Sequence, residues 1–198
     1  MKERLVELIY EKSFKYSEEP VFKLVSGRVS NYYVNCKTVT LHPEGMYLIG
    51  NIIFEMIRNL PVAGIGGLTL GADPIADAEA YTSYLKGKPL ESFVVRKNAK
   101  SHGTMQWIEG NLKPGDKVVI VDDVITTGKS TIEAINRARE AGLTIVKVIA
   151  LVDRQEGGYE AVEKAVADIK ADFKVLEAVV TREELMGLYR SKNVGMNK

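Results

Sequence analysis

Apolar positions along the chain switch between a helical and an extended period, and the switches mark out its elements. Leu5, Leu8 and Ile9 recur at helical spacing, so residues 3 to about 14 read as an amphipathic helix. In the next stretch, FKLVSGRVSNYYVNCK, apolar segments flank the turn cluster Ser26-Gly27-Arg28, which predicts two strands with a polar connection. His42-Pro43-Glu44 closes this extended part, and Gly45 to Leu60 carries a helical pattern stopped by Pro61. Ala63 to Gly67 predicts a short strand with a glycine-rich exit. Asp73 to Leu85 predicts a helix with Asp73 as N-cap and Pro74 at the first helical position. Ser92 to Arg96 is a further strand, leading into KNAKSHGTMQWIEGNLKPG, a long polar stretch without periodicity of the kind that carries function. Val118 to Val121 is a β-branched run that predicts a buried strand, giving way at Asp122-Asp123 to a polar loop. Ser130 to Ala141 then predicts a helix ended by Gly142, Ile145 to Val152 a strand closed by Asp153-Arg154, and Tyr159 to Ile169 a helix. Phe173 to Val180 is extended, and Thr181 caps a last short helix whose Glu183 and Glu184 suit its positive end.

Strands and helices alternate from Ala63 to about Ile169, which indicates an α/β fold with a parallel sheet flanked by helices. The chain is expected to form a single domain over residues 1–198, with a core of about 41–170. The two ends, about 1–40 and 171–198, stand outside the alternation and are expected to make a small hood over the carboxyl edge of the sheet. Composition changes this picture little: 45% hydrophobic residues suit a globular core. The 27 basic and 26 acidic residues leave no overall drive toward nucleic acid or an anionic membrane. No stretch approaches a membrane span, and the first residues interleave acids with apolar side chains, unlike a secretory leader. Cys36 is the single cysteine, so an internal disulfide is excluded and a cytoplasmic location is expected.

Chemistry concentrates in VVIVDDVITTGKS, residues 118–130. A parallel strand feeding a helix leaves its loop at the carboxyl edge of the sheet, where the amides of Thr126, Thr127 and Gly128 and the helix dipole can gather round a phosphate. Asp122 and Asp123 cannot bind phosphate, but they can hold a cation or accept hydrogen bonds from sugar hydroxyls. The ligand so described has both a phosphate and a diol. A Walker A loop is excluded, because Asp123 stands where its first glycine is required, and a dinucleotide fingerprint from Gly64 and Gly66 fails at Thr69. Arg96, Lys97, Lys100 and His102 cluster at a strand end and the start of the long loop, which suits a polyanionic leaving group.

These residues resemble the phosphoribosyl pyrophosphate (PRPP) loop of the type I phosphoribosyltransferases, and most closely the orotate phosphoribosyltransferase family. The resemblance runs through FKLVSGRVSNYYVNCK, RKNAKSHG, VVIVDDVITTGKS and DRQEGG. It implies the type I phosphoribosyltransferase fold and transfer of phosphoribosyl from PRPP to orotate, giving orotidine 5'-monophosphate and pyrophosphate in pyrimidine biosynthesis. It assigns Asp122 and Asp123 to the ribose hydroxyls and Thr126, Thr127, Gly128, Lys129 and Ser130 to the 5'-phosphate, with Val124 and Ile125 in the same PRPP-binding stretch. Arg96, Lys97, Lys100 and His102 fall to the pyrophosphate; Lys100 and His102 are catalytic there with the two aspartates. Thr126 and Arg154 are assigned to orotate. The family further implies Mg2+ carried by PRPP without a direct protein ligand, and a homodimer in which loop 97–110 is shared across the interface. Many bacterial members have lysine at the positions of Val25 and Leu70, and Arg28, Lys23 or Lys37 are the available replacements. Tyr32 and Tyr33 suit either sheet packing or a ligand contact, while Cys36 suits core packing and Trp107 a loop contact. A purine-specific transferase and a PRPP-sensing regulator are the competing readings; Arg154 and the Ser26-Gly27-Arg28 segment oppose the first, because a neutral purine offers no carboxylate, and balanced charge, the absence of an added helix-turn-helix and the retained loop cations oppose the second.

Overall fold

Short elements come first in the computed structural model, which describes residues 1–23, 29–98 and 107–193. Helix α1 (Lys2–Lys12) is followed by strands β1 (Phe14–Tyr16), β2 (Phe22–Lys23), β3 (Val29–Ser30) and β4 (Tyr32–Val34) and by the single turn α2 (Lys37–Thr40). Strands β1 and β4 pair antiparallel, as do β2 and β3. The sequence pattern anticipated neither β1 nor α2, both too short to show a period. Ser26, Gly27 and Arg28 lie outside the described residues, as do Val25, Lys100, His102 and the last five residues.

From α3 (Pro43–Ile57) onward the alternation becomes a layered sheet: β5 (Gly64–Leu68), α4 (Asp73–Leu85), β6 (Glu91–Val95), β7 (Ile108–Glu109), β8 (Lys117–Ile125), α5 (Lys129–Glu140), β9 (Thr144–Asp153), α6 (Gly158–Ala165), β10 (Leu176–Thr181) and α7 (Arg182–Asn193). The six strands lie in the order β10-β9-β8-β5-β6-β7, all parallel except β7. The chain leaves β5 toward β6 on one side and β8 toward β9 and β10 on the other. Between β5 and β8 the winding reverses, and the crevice at the carboxyl ends of such a pair is where open α/β sheets take ligands.

Three expectations change. The strand does not end before the acidic pair: β8 continues through Asp122 and Asp123 to Ile125, because its backbone still pairs with β9 there, Asp122 opposite Ala150 and Ile125 opposite Asp153. Residues 176–181 are not part of a hood; β10 pairs parallel with β9 and completes the sheet, after an α6 crossover shorter than its sequence pattern indicated. Asp73 is the first helical residue of α4 and not its cap, which is Ala72; its Oδ2 accepts a hydrogen bond from Thr69 Oγ1 at 2.7 Å.

Two apolar layers cover the sheet. Val119 and Val121 of β8 and Ile149 and Leu151 of β9 pack with α1, α3 and Ile75 of α4, whereas Val118, Ile120, Val148 and Ala150 pack with α5 and Val162 of α6. This period-2 alternation is that of a strand buried on both faces. α7 returns to the first layer through Leu185, beside α1, and its start is a capping box: Glu184 Oε2 accepts from Thr181 N at 2.7 Å and Glu184 N donates to Thr181 Oγ1.

Candidate active site

Because β8 runs on past its apolar residues, its pleat sends the two aspartates to opposite faces. Asp122 follows Val118 and Ile120 toward α5. It is 5% exposed, its Oδ2 accepts from Ser130 Oγ at 2.8 Å and Thr131 Oγ1 at 2.6 Å, and its Oδ1 accepts from the Asp123 amide at 3.0 Å. Burial pushes its carboxyl up to about 6, and the hydroxyl donors oppose that rise. Asp123 follows Val119 and Val121 to the other face. There Lys37 Nζ stands 3.2 Å from its Oδ2. Of the two acids, Asp123 lines the cavity and Asp122 accepts from the first residues of α5.

The phosphate-type loop is built as its residue types require. Gly128 caps α5 with φ +78°, a conformation that costs a side-chain-bearing residue, and a Cβ there would meet Gly158 O at 2.8 Å. The first-turn amides of a twelve-residue helix thus open at the end of β8. Thr126, Thr127 and Lys129 line a cavity of about 620 Å³ together with Asp123, Val124 and Arg154 from the core. Its other wall is the N-terminal segment, with Lys23, Tyr33, Asn35 and Lys37. Ser130 and Ile125 do not line it; the Ser130 hydroxyl is engaged by Asp122, and Ile125 is buried in the α5 layer.

Arg154 follows β9 and is 5% exposed. Its amide donates to Ile125 O at 3.0 Å, which fixes it beside the end of β8. Arg96 pairs with Glu109 at 2.9 Å and, with Lys97, lines a neighbouring depression that includes Thr69. The turn Thr69 to Gly71 separates that depression from the cavity, and Gly71 passes so close to Asp123 that a Cβ would lie 2.6 Å from its Oδ1. Arg96 and Lys97 are thus adjacent to the cavity and do not line it among the described residues, and Leu70 is exposed on the same turn. Lys23 and Lys37, which the sequence offered only as replacements for absent family lysines, line the cavity; a separation of 86 residues between Lys37 and Asp123 leaves no local signal for the pair.

The family model of the phosphoribosyl transferase domain matches residues 64–182. An orotate phosphoribosyltransferase of Aquifex aeolicus is 47% identical over 176 residues, 89% of this chain and 96% of that protein. The chain belongs to the orotate phosphoribosyltransferase family. Among solved family structures, the Mycobacterium tuberculosis enzyme in complex with Fe(III) dicitrate superposes with a TM-score of 0.78 at 35% identity, covering 93% of this chain and 98% of that one. The same enzyme in complex with PRPP superposes at 0.71 and 30% identity, covering 93% and 90%. Family membership accounts for the mostly parallel sheet and for a helix N-terminus at the switch point, and no described helix is long and apolar enough to cross a membrane. Within the family frame, the lysines that this chain sets against its acidic strand end are Lys23, Lys37 and Lys129.

Proposed function

We propose that the cavity binds PRPP and orotate and joins them to give orotidine 5'-monophosphate and pyrophosphate. The observation that carries this reading is the meeting, in one cavity, of a carboxylate for a diol, a helix N-terminus for a phosphate and a buried guanidinium for an anionic base. In this reading the amides of Thr126, Thr127 and Gly128, the two threonine hydroxyls and the Lys129 ammonium take the 5'-phosphate. Asp123 accepts from the ribose hydroxyls, and Arg154 meets the orotate carboxylate.

The C1–O bond breaks as pyrophosphate leaves, and the orotate ring nitrogen forms the new bond to C1 from the opposite face. Positive charge grows on the ribose in between, and the Asp123 carboxylate lies where it stabilises that charge. Arg96, Lys97, Lys100 and His102 receive the charge that develops on pyrophosphate. A Mg2+ arriving on PRPP would be held chiefly by the substrate's oxygens, and Asp123 is the carboxylate that the cavity lining offers it. When bound, the metal supplies further neutralisation of the pyrophosphate oxygens. We further infer a single domain over residues 1–198, a cytoplasmic location, and a homodimer in which loop 97–110 reaches the partner's site.

Initial rates with PRPP, Mg2+ and orotate, uracil, adenine or hypoxanthine test the base assignment. Turnover confined to orotate is expected. Comparable or faster turnover of a purine would overturn it.

A further inference from the structure

Arg154 is reached from two sides by different groups. Arg154 lines the ligand cavity, which Tyr32 and Glu156 do not; those two line another cleft of about 600 Å³, which Arg154 does not. Tyr32 and Glu156 therefore meet the arginine without lining the cavity themselves. The guanidinium carbon lies 4.7 Å from the centroid of the Tyr32 ring, a cation–π distance. The Tyr32 hydroxyl has one proton and two acceptors, Arg154 O at 3.1 Å and the nearer Glu156 Oε1; the charged, closer oxygen takes it. An Oη lone pair is then free for Arg154 Nε, which donates to it at 3.4 Å.

Glu156 Oε1 also stands 2.9 Å from Arg154 Nη2, so one carboxylate ties both partners. Nη2 is buried and makes no hydrogen bond among the described residues, although it is within ion-pair range of Glu156. That leaves donor capacity on a guanidinium otherwise held on three sides, by a ring face, a hydroxyl and a carboxylate. Burial and then the bond to Glu156 raise the Tyr32 phenol above its ordinary value, so it remains a donor through the neutral range.

We propose that Tyr32 and Glu156 are positioning residues that hold the Arg154 guanidinium toward the cavity, and that they thereby set the preference for a base bearing a carboxylate over a neutral one. The inference rests on the orotate reading above. Without the Tyr32 hydroxyl, Arg154 Nε loses its acceptor and the guanidinium loses one of the anchors that fix its direction. Without the Glu156 charge, the hydroxyl turns to Arg154 O and the guanidinium loses its second anchor.

The test is steady-state kinetics of the full chain and of Tyr32→Phe and Glu156→Gln, with orotate and PRPP varied in turn and with uracil as a competitive inhibitor lacking the carboxylate. Tyr32→Phe keeps the ring and removes only the hydroxyl. The expected result is a KM for orotate raised about tenfold, with kcat within about twofold and with the KM for PRPP and the uracil inhibition constant unchanged. An unchanged KM for orotate in both variants overturns the proposal. So does a parallel rise in both KM values and in the uracil constant, which a merely structural role would produce. If Tyr32→Phe fails to fold, Glu156→Gln decides alone. Turnover of orotate by the parent keeps the underlying reading separate: a parent that uses only a neutral base overturns both, whereas a parent that uses orotate beside unaffected variants overturns this inference alone.

Discussion

Asp122 and Asp123 differ in nothing but the face on which the pleat sets them, and that difference gives one a structural task and the other a place in the cavity. Thr131→Val removes a buried donor from Asp122 Oδ2, so urea unfolding at pH 7.5 should show a loss of about 1–3 kcal/mol; stability equal to the parent's would mean that the carboxylate does not depend on that bond. Lys37, on the opposite wall, pairs with Asp123, and Lys37→Met is expected to raise the KM for PRPP about tenfold while Lys37→Arg restores most of it. A KM unmoved by Lys37→Met would remove Lys37 from the ligand's surroundings. Outside this site, Glu79 of α4 is fully buried beside a small cavity that Arg58 and Lys88 also line, and neither carboxylate oxygen has a hydrogen-bond partner among the described residues. Burial raises it to about 7 from an ordinary 4.5. The folded state therefore binds this proton more tightly than the unfolded state, and the cost of ionisation appears as pH rises from about 4.5 to about 7 and persists above it. Glu79→Gln should recover on the order of 3 kcal/mol at pH 8 and much less at pH 5, read from urea midpoints at both values. An equal gain at both would contradict the buried charge.

Among the elements, the central strand shows where pattern reading stops being informative. The apolar run Val118 to Val121 marks β8 clearly, but its last residues are chosen for the site and not for the core, so hydrophobicity ends before the backbone pairing does. The same effect separates Phe173 to Val180 from the observed β10: nothing in an extended apolar segment says which strand it will lie beside, and only the α6 crossover places it next to β9. Helices were legible wherever period and end signals coincided, as at α4 and α5; Asp73 was misplaced by one residue because its side chain finds Thr69 and not a free amide of its own helix. The site's loop was legible because Thr126 to Ser130 is contiguous, whereas Lys37 and Tyr32 reach their partners only through tertiary packing. The capping box of α7 was written in Thr181 and Glu184. Glu184→Ala should lower the unfolding free energy by about 1 kcal/mol, and an unchanged urea midpoint would mean that α7 is held by Leu185 and its packing alone.

For the molecule as a whole, the cavity is a seam between two parts of the chain with different tasks. The sheet supplies Asp123, the loop ahead of α5 and Arg154 at a topological switch point, and the N-terminal segment supplies Lys23, Tyr33, Asn35 and Lys37 across from them. Neither part alone lines the cavity, so the fold's layering, and not any single motif, makes it. The orotate absorbance, followed on adding PRPP with and without Mg2+ to the parent and to Asp123→Asn, tests this account most directly. The account predicts metal-dependent loss of orotate with release of pyrophosphate in the parent, and a rate lower by about a hundredfold in Asp123→Asn. Orotate left untouched by the parent, or an Asp123→Asn variant as fast as the parent, would contradict it.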